Sequence, residues 1–233
     1  MDRERLETKL FIPRDVDGEP IAEEIAKIRE IEKELANDPD FSKAFVGLAS
    51  FGSLLSGYSN DSKESDIDLF VLYDSKKTEL RKFEERKEAP PSGEIKDVTL
   101  ATCDINPENI LAGLRGWLDQ CHIDKERKIV RAPVKGEPRT IIALTAMTRV
   151  VTGNKINEYR KAISEVLKEL PADEVDEVRE AIIENLAYSD SYNLAKRKER
   201  MPELTETDHL EILEKRKEMW RARVKNVWGF ENK

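Results

Sequence analysis

Apolar runs long enough for a bilayer are missing from this sequence, and so are most of the residues that staple or metallate a small fold. A spanning helix needs ~20 consecutive, mostly apolar residues, and no stretch of the 233 approaches that. Cysteine occurs only at Cys103 and Cys121. That excludes a disulfide framework and a zinc site built on paired Cys/His spacing, and leaves a redox pair as the one functional role for the two thiols. Histidine is as scarce, with His122 and His209 the whole supply, and neither is assigned to catalysis. Aromatic residues are 6% of the chain against 38% charged, the balance of a helix-rich chain with long solvated faces. A formal net charge of −8 disfavours a nonspecific nucleic-acid binder, though it leaves room for a local basic patch. The opening residues MDRERLETKL lack the apolar centre of a secretory signal, so no membrane association and a cytoplasmic location are expected.

What is present is concentrated between Phe51 and Tyr73, FGSLLSGYSNDSKESDIDLFVLY. Gly52-Ser53 closes a short apolar run, AFVGLASF, that reads as a strand buried on both faces. After a polar loop, Ser65-Asp66-Ile67-Asp68-Leu69 opens a second strand, in which Ile67, Leu69 and Val71 alternate with Asp66, Asp68 and Phe70. The period of two sends Asp66 and Asp68 out of one face, roughly 6–7 Å apart. Two carboxylates so placed repel each other unless cations sit between them, and Mg²⁺ held by carboxylates together with substrate phosphates is the natural solution. Glycine permits close backbone approach, and the Ser53 hydroxyl with nearby amides suits phosphate oxygens.

Hydrophobic gly-ser followed at this distance by Asp-x-Asp within a strand resembles the signature of the DNA polymerase β-like nucleotidyltransferase superfamily. Gly52-Ser53-x3-Gly57 through Ser65-Asp-Ile-Asp-Leu is similar to the first motif of the aminoglycoside (streptomycin/spectinomycin) nucleotidyltransferases. Their chemistry uses a third acid on a neighbouring strand, which completes the metal site and draws the proton from an attacking hydroxyl. The strand Ile95–Cys103 offers Asp97 and, just after it, Asp104. They are seven residues apart and face opposite ways. Asp97 is preferred because Val98 and Leu100 then face the core, and Asp97-Val98-Thr99 resembles the Glu-Val-Thr strand of the same enzymes. Asp97 stands where they carry glutamate, and Lys96 where they carry an apolar residue. The resemblance covers about Phe45 to Ile105.

It implies an α+β fold, with a mixed-sheet nucleotidyltransferase domain over 1–124 and a helical domain over 139–233 that closes the substrate cleft. It further implies transfer of a nucleoside monophosphate from ATP or another NTP, with Asp66, Asp68 and Asp97 as catalytic and metal-binding residues and Gly52, Ser53 and Ser65 at the nucleotide. The acceptor expected first is a small hydroxylated molecule of the aminoglycoside kind. tRNA, as in toxin-type enzymes, is the alternative, and a non-catalytic nucleotide-binding regulator or antitoxin is a third class.

Around this centre, the pattern predicts a loose arm over residues 1–18 with a short strand at Lys9–Ile12, then a helix from Glu19-Pro20 to Leu35 stopped by Asn37-Asp38-Pro39-Asp40. A short helix at Leu54-Leu55, a charged surface helix from Ser75 to Glu88 and a helix opened by Asn106-Pro107-Glu108, with Trp117 in its apolar face, follow. Asp124–Arg139 reads as the domain boundary. Four helices complete the chain: Thr140–Thr152, closed by a left-handed cap at Gly153-Asn154; one through Ile156–Leu167; one from Pro171; and Thr205–Trp228. The last carries six basic residues between Lys215 and Lys225, with Trp220 and Trp228 interleaved. That is either a solvated face paired with its own glutamates or a grip on triphosphate or RNA.

Overall fold

The computed structural model describes residues 22–51, 67–77, 98–128, 139–200 and 205–230. They form α1 (Ala22–Asn37), β1 (Phe45–Phe51), β2 (Ile67–Tyr73), a 3-10 turn at Ser75–Lys77, β3 (Val98–Asp104), α2 (Pro107–Glu126), α3 (Arg139–Thr148), β4 (Val150–Thr152), α4 (Ile156–Leu167), α5 (Ala172–Arg200) and α6 (Glu206–Trp228). The class is α+β, as expected. The N-terminal arm with its strand, the helix start at Glu19-Pro20, the Leu54-Leu55 helix and residues 78–88 of the surface helix lie outside the described residues. No described helix is long and apolar enough to cross a membrane.

The sheet is four-stranded and mixed, in the order β3-β2-β1-β4. β1 runs antiparallel to β2, from Phe45 opposite Tyr73 to Phe51 opposite Asp68. β3 runs parallel to β2, from Ile67 opposite Val98 to Tyr73 opposite Asp104. β1 and β2 are buried almost throughout, because helices cover both faces. On one face Ile28 and Ile31 of α1 pack with Phe45, Leu48, Ile67, Leu69, Val71, Tyr73 and Val151. On the other, Val46, Ala49, Leu72 and Cys103 meet apolar residues of α2 to α6. That second core draws on residues from both sides of 124–139, and the sheet takes its fourth strand from 150–152.

Helix ends follow local chemistry. Asp38 Oδ1 accepts from the amides of Asp40 and Phe41 at 2.9 and 3.1 Å, folding the turn after α1. Asn106 caps α2 by accepting from the Glu108 and Asn109 amides, with Pro107 in the first turn where no amide hydrogen is missed.

The helix expected over Thr140–Thr152 is corrected: α3 ends at Thr148, and Val150–Thr152 pairs with β1. A largely apolar run carries no clear period, so the β-branched tail decides. Val150 enters one core and Val151 the other, as strand alternation requires. Gly153 is accordingly no helix cap. It has φ +150°, and a Cβ there would stand 2.5 Å from the Val46 carbonyl oxygen and 2.7 Å from Gly47 Cα, so only glycine allows β1 and this turn to touch.

The far end of β2 is tied by a buried polar knot. Tyr159 Oη donates to Asp74 Oδ2 at 2.6 Å, Asn106 Nδ2 donates to Asp74 Oδ1 at 2.9 Å, and Lys77 Nζ donates to Tyr159 Oη at 2.8 Å. Burial pushes the Asp74 carboxyl up, but hydrogen bonds from Tyr159, Asn106 and the Lys76 amide, with the Lys77 charge, outweigh it and hold the group below the usual carboxylate range. Burial and its bond to Asp74 push the Tyr159 phenol above its ordinary value.

Tyr159→Phe removes a donor to this buried charge, and urea unfolding at neutral pH is expected to show a loss of ~1–3 kcal/mol. With a depressed folded value, the stabilisation is complete above the unfolded value of about 4 and disappears as pH falls through the folded one. The gap between wild type and variant therefore closes in acid. A gap that stays constant with pH would mean the hydroxyl acts through packing alone.

Candidate active site

Three strands meet at one end of the sheet. β1 finishes where β2 and β3 begin, so Phe51, Asp68 and Thr99 stand in one row across the sheet. Asp68 is half-buried between Ile67 and Leu69, which are both buried in the α1-side core. By alternation it takes the other face, the one that carries Phe70 and Leu72. Gly52, Ser53, Ser65, Asp66 and Asp97 lie outside the described residues. Their chain neighbours do not: Gly52 follows Phe51, Asp66 precedes Ile67 and Asp97 precedes Val98. Ile67 pairs directly with Val98, and Phe51 with the next residue, Asp68. Among the described residues no group of three or more His, Cys, Asp or Glu side chains is placed to hold a metal; Asp68 contributes one hard oxygen donor of the kind that suits Mg²⁺.

Asp104 is placed elsewhere. It ends β3 opposite Tyr73, six residues along the strand from the pair Ile67–Val98 and some 20 Å away at strand rise. There Oδ1 accepts from the Ser75 and Asn106 amides at 3.1 and 3.0 Å, while Oδ2 accepts from Ser75 Oγ and Asn109 Nδ2, both at 2.7 Å. This carboxylate joins the turn after β2 to the start of α2. Asp104 stands opposite Tyr73, which is buried in the α1-side core, so by alternation it has the opposite parity to Asp68, whose partner on β3 is Thr99. It also lies at the far end of the strand from Asp68.

Other candidates resolve into structure. Trp220 and Trp228 of the basic helix are buried, at 0% and 4% exposure, which removes them as stacking platforms. Trp228 Nε1 donates to Thr148 Oγ1 at 2.9 Å, and Arg223 Nε to the Thr148 carbonyl at 2.8 Å. Arg160 Nε reaches the Met147 carbonyl at 3.1 Å. Two guanidinium groups thus sit on the last carbonyls of α3, where cations complement the helix dipole. Burial, then the neighbouring Arg223 charge, pushes Arg160 down to about 9, and burial brings Arg223 to about 10; both stay charged at neutral pH. Lys217 is paired with Glu214 at 2.9 Å, whereas Lys215, Arg221 and Lys225 are exposed. Trp117 packs partly buried against the main core.

Both cysteines are free and buried. Burial, partly offset by the Arg149 charge, pushes the Cys103 thiol up to about 12. So little thiolate at neutral pH makes it a poor redox nucleophile. The His122 imidazole lies 4.0 Å from Glu174 on the helical surface. One feature escaped the sequence pattern. The Phe51 and Phe70 rings, which bracket the motif, meet with centroids 4.3 Å apart and planes at 32°. Cross-strand register alone could have revealed the pair, and no local period encodes it.

Asp104→Ala removes four accepted hydrogen bonds from a joint between elements. Hydrogen bonds to a charged group are worth ~1.5–3 kcal/mol each at most, and urea unfolding of the variant is expected to fall by at least that much. An unchanged midpoint would remove Asp104 from the structural role.

The sequence matches no protein-family model and no curated protein.

Proposed function

We propose that the chain is a metal-dependent nucleotidyltransferase of the polymerase β-like kind. The observation that carries this reading is the strand register, which sets the chain neighbours of Gly52-Ser53, of the Asp66/Asp68 pair and of Asp97 side by side at one end of adjacent strands. Motif parts 14 to 45 residues apart in sequence gain a reason to co-occur if they serve one ligand. The mixed sheet, with β1 antiparallel and β3 parallel to β2, is compatible with the fold that the resemblance implies.

In this reading Gly52, Ser53 and Ser65 hold the triphosphate of ATP or another NTP, and Asp66 and Asp68, with Asp97, would hold Mg²⁺. The ion supplies neutralisation of phosphate charge. An acceptor hydroxyl gives its proton to Asp97, and its oxygen forms a bond to the α-phosphorus. The bond from that phosphorus to the bridging β-phosphate oxygen breaks, and pyrophosphate leaves with the electron pair. Positioning and charge supply most of the rate. The acceptor is a small hydroxylated molecule. The exposed Lys215, Arg221 and Lys225 favour RNA as the second reading. Arg223, being engaged at the end of α3, is not available to it.

Replacing both Asp66 and Asp68 by Asn is expected to abolish Mg²⁺-dependent ATP binding in calorimetric titration without lowering thermal stability, and wild-type affinity in that variant would remove the metal assignment. Asp97→Ala is expected to lower turnover ~10²–10⁴-fold with little change in ATP affinity, since a base acts in the chemical step. For the acceptor, Lys215, Arg221 and Lys225 are changed together to Glu. RNA as acceptor predicts steep salt dependence, with a slope of roughly −0.7 per phosphate contact, that flattens in the triple variant. Transfer to a small molecule is expected to be unaffected, and labelling of purified tRNA that the variant loses would reverse the order of the two readings.

A further inference from the structure

Between the fully buried part of β2 and the Asp68 carboxylate lies a short aromatic shelf. Leu72 is buried in the core beneath α3, with 0% exposure. Phe70, two residues nearer the Asp68 end, is only half-buried, and so is Phe51, the residue directly opposite Asp68 on β1. Phe70 lies on the Asp68 face by alternation, and Phe51 reaches that face because its ring meets that of Phe70. Their tilted contact, centroids 4.3 Å apart with planes at 32°, holds each ring against the other. A cross-strand neighbour stands ~4.5–5.5 Å from Asp68, and a residue two positions on ~6–7 Å. The result is a pre-set π surface within one side chain's reach of the carboxylate.

We infer that the Phe51–Phe70 pair is the platform on which the base of the donor nucleotide stacks. The inference rests on the nucleotidyltransferase reading of Asp68. A nucleotide joins a polyanion to a planar aromatic ring by a short sugar link, and this end of the sheet pairs a carboxylate suited to metal-bound phosphate with half-exposed aromatic faces beside it. Rings already held in place lose little freedom on binding, so the contact adds to affinity instead of being spent on ordering. Stacking on an aromatic side chain tolerates any base, because every base has a π face. The donor site is therefore expected to prefer nucleotides over base-free polyphosphate while discriminating only a few-fold among ATP, GTP, CTP and UTP.

The test compares Mg·ATP with Mg·tripolyphosphate, which carries the charge without the base. Dissociation constants are measured calorimetrically on the full chain for wild type, Phe51→Leu, Phe51→Trp and Asp68→Asn. Phe51→Leu is expected to weaken ATP about tenfold and leave tripolyphosphate unchanged. Phe51→Trp keeps or tightens ATP, which also covers the case in which the leucine variant fails to fold. Asp68→Asn weakens both ligands. If Phe51→Leu weakens both ligands equally or neither, or if Phe51→Trp weakens ATP about tenfold, the platform is disproved. A change confined to the acceptor's KM would place the acceptor on the shelf and equally overturn the base assignment. Wild type that binds tripolyphosphate as tightly as ATP refutes the stacking alone, whereas wild type that binds neither refutes the nucleotidyltransferase reading with it.

Discussion

The register of β2 is the constraint on which the rest depends. This strand is hydrogen-bonded on both sides, antiparallel to β1 and parallel to β3, and apolar cores lie on both its faces. A slip of one residue would carry Asp68 into the α1-side core in place of Leu69 and turn Leu69 towards the margin. Burying an unpaired carboxylate costs several kcal/mol, so the alternation of Ile67, Leu69 and Val71 is held firmly. The same pairing then decides which parts of the chain become neighbours: the end of β1, the start of β2 and the start of β3.

The two ends of the sheet use their charges differently. At the end carrying Asp74 and Asp104, the carboxylates are consumed by hydrogen bonds that join the 3-10 turn, α2 and α4. At the end of α3, buried guanidinium groups of Arg160 and Arg223 are consumed by the last backbone carbonyls. Such groups are conspicuous in a list of titratable residues, yet their geometry accounts for them as joints. Asp68 differs in its setting. It is half-buried near the start of β2, in one row with Phe51 of β1 and Thr99 of β3.

This contrast bears on the two acceptor readings. The basic stretch of α6 loses its aromatic partners to the core, because Trp220 and Trp228 are buried in the main cluster. It also loses Arg223 to the end of α3. What remains is a thin line of exposed lysine and arginine among glutamates, and exposed charges of that kind contribute little unless they act as a set. A small acceptor near Asp68 asks nothing of that surface.

Much was decided by the sequence alone. Strict alternation in Ile67–Val71, the unbroken apolar AFVGLASF, the Asn106-Pro107 start of α2 and the Asp38 turn after α1 are local signals, and each element formed where its signal lay. The same alternation is what made Asp66 and Asp68 an expected pair, since residues at a period of two share a face in any strand. Tertiary structure decided what local pattern does not encode. Thr140–Thr152 is largely apolar and shows no clear period, so only pairing with β1 turned Val150–Thr152 into a strand. Seven residues apart, Asp97 and Asp104 differ in parity in any strand, but only the parallel register showed that Asp104 stands opposite Tyr73 at the far end of the sheet, where Ser75, Asn106 and Asn109 engage it. The meeting of Phe51 with Phe70 and the burial of Trp220 and Trp228 likewise depend on which strand and which helix lie alongside, a choice made by packing between segments far apart in the chain.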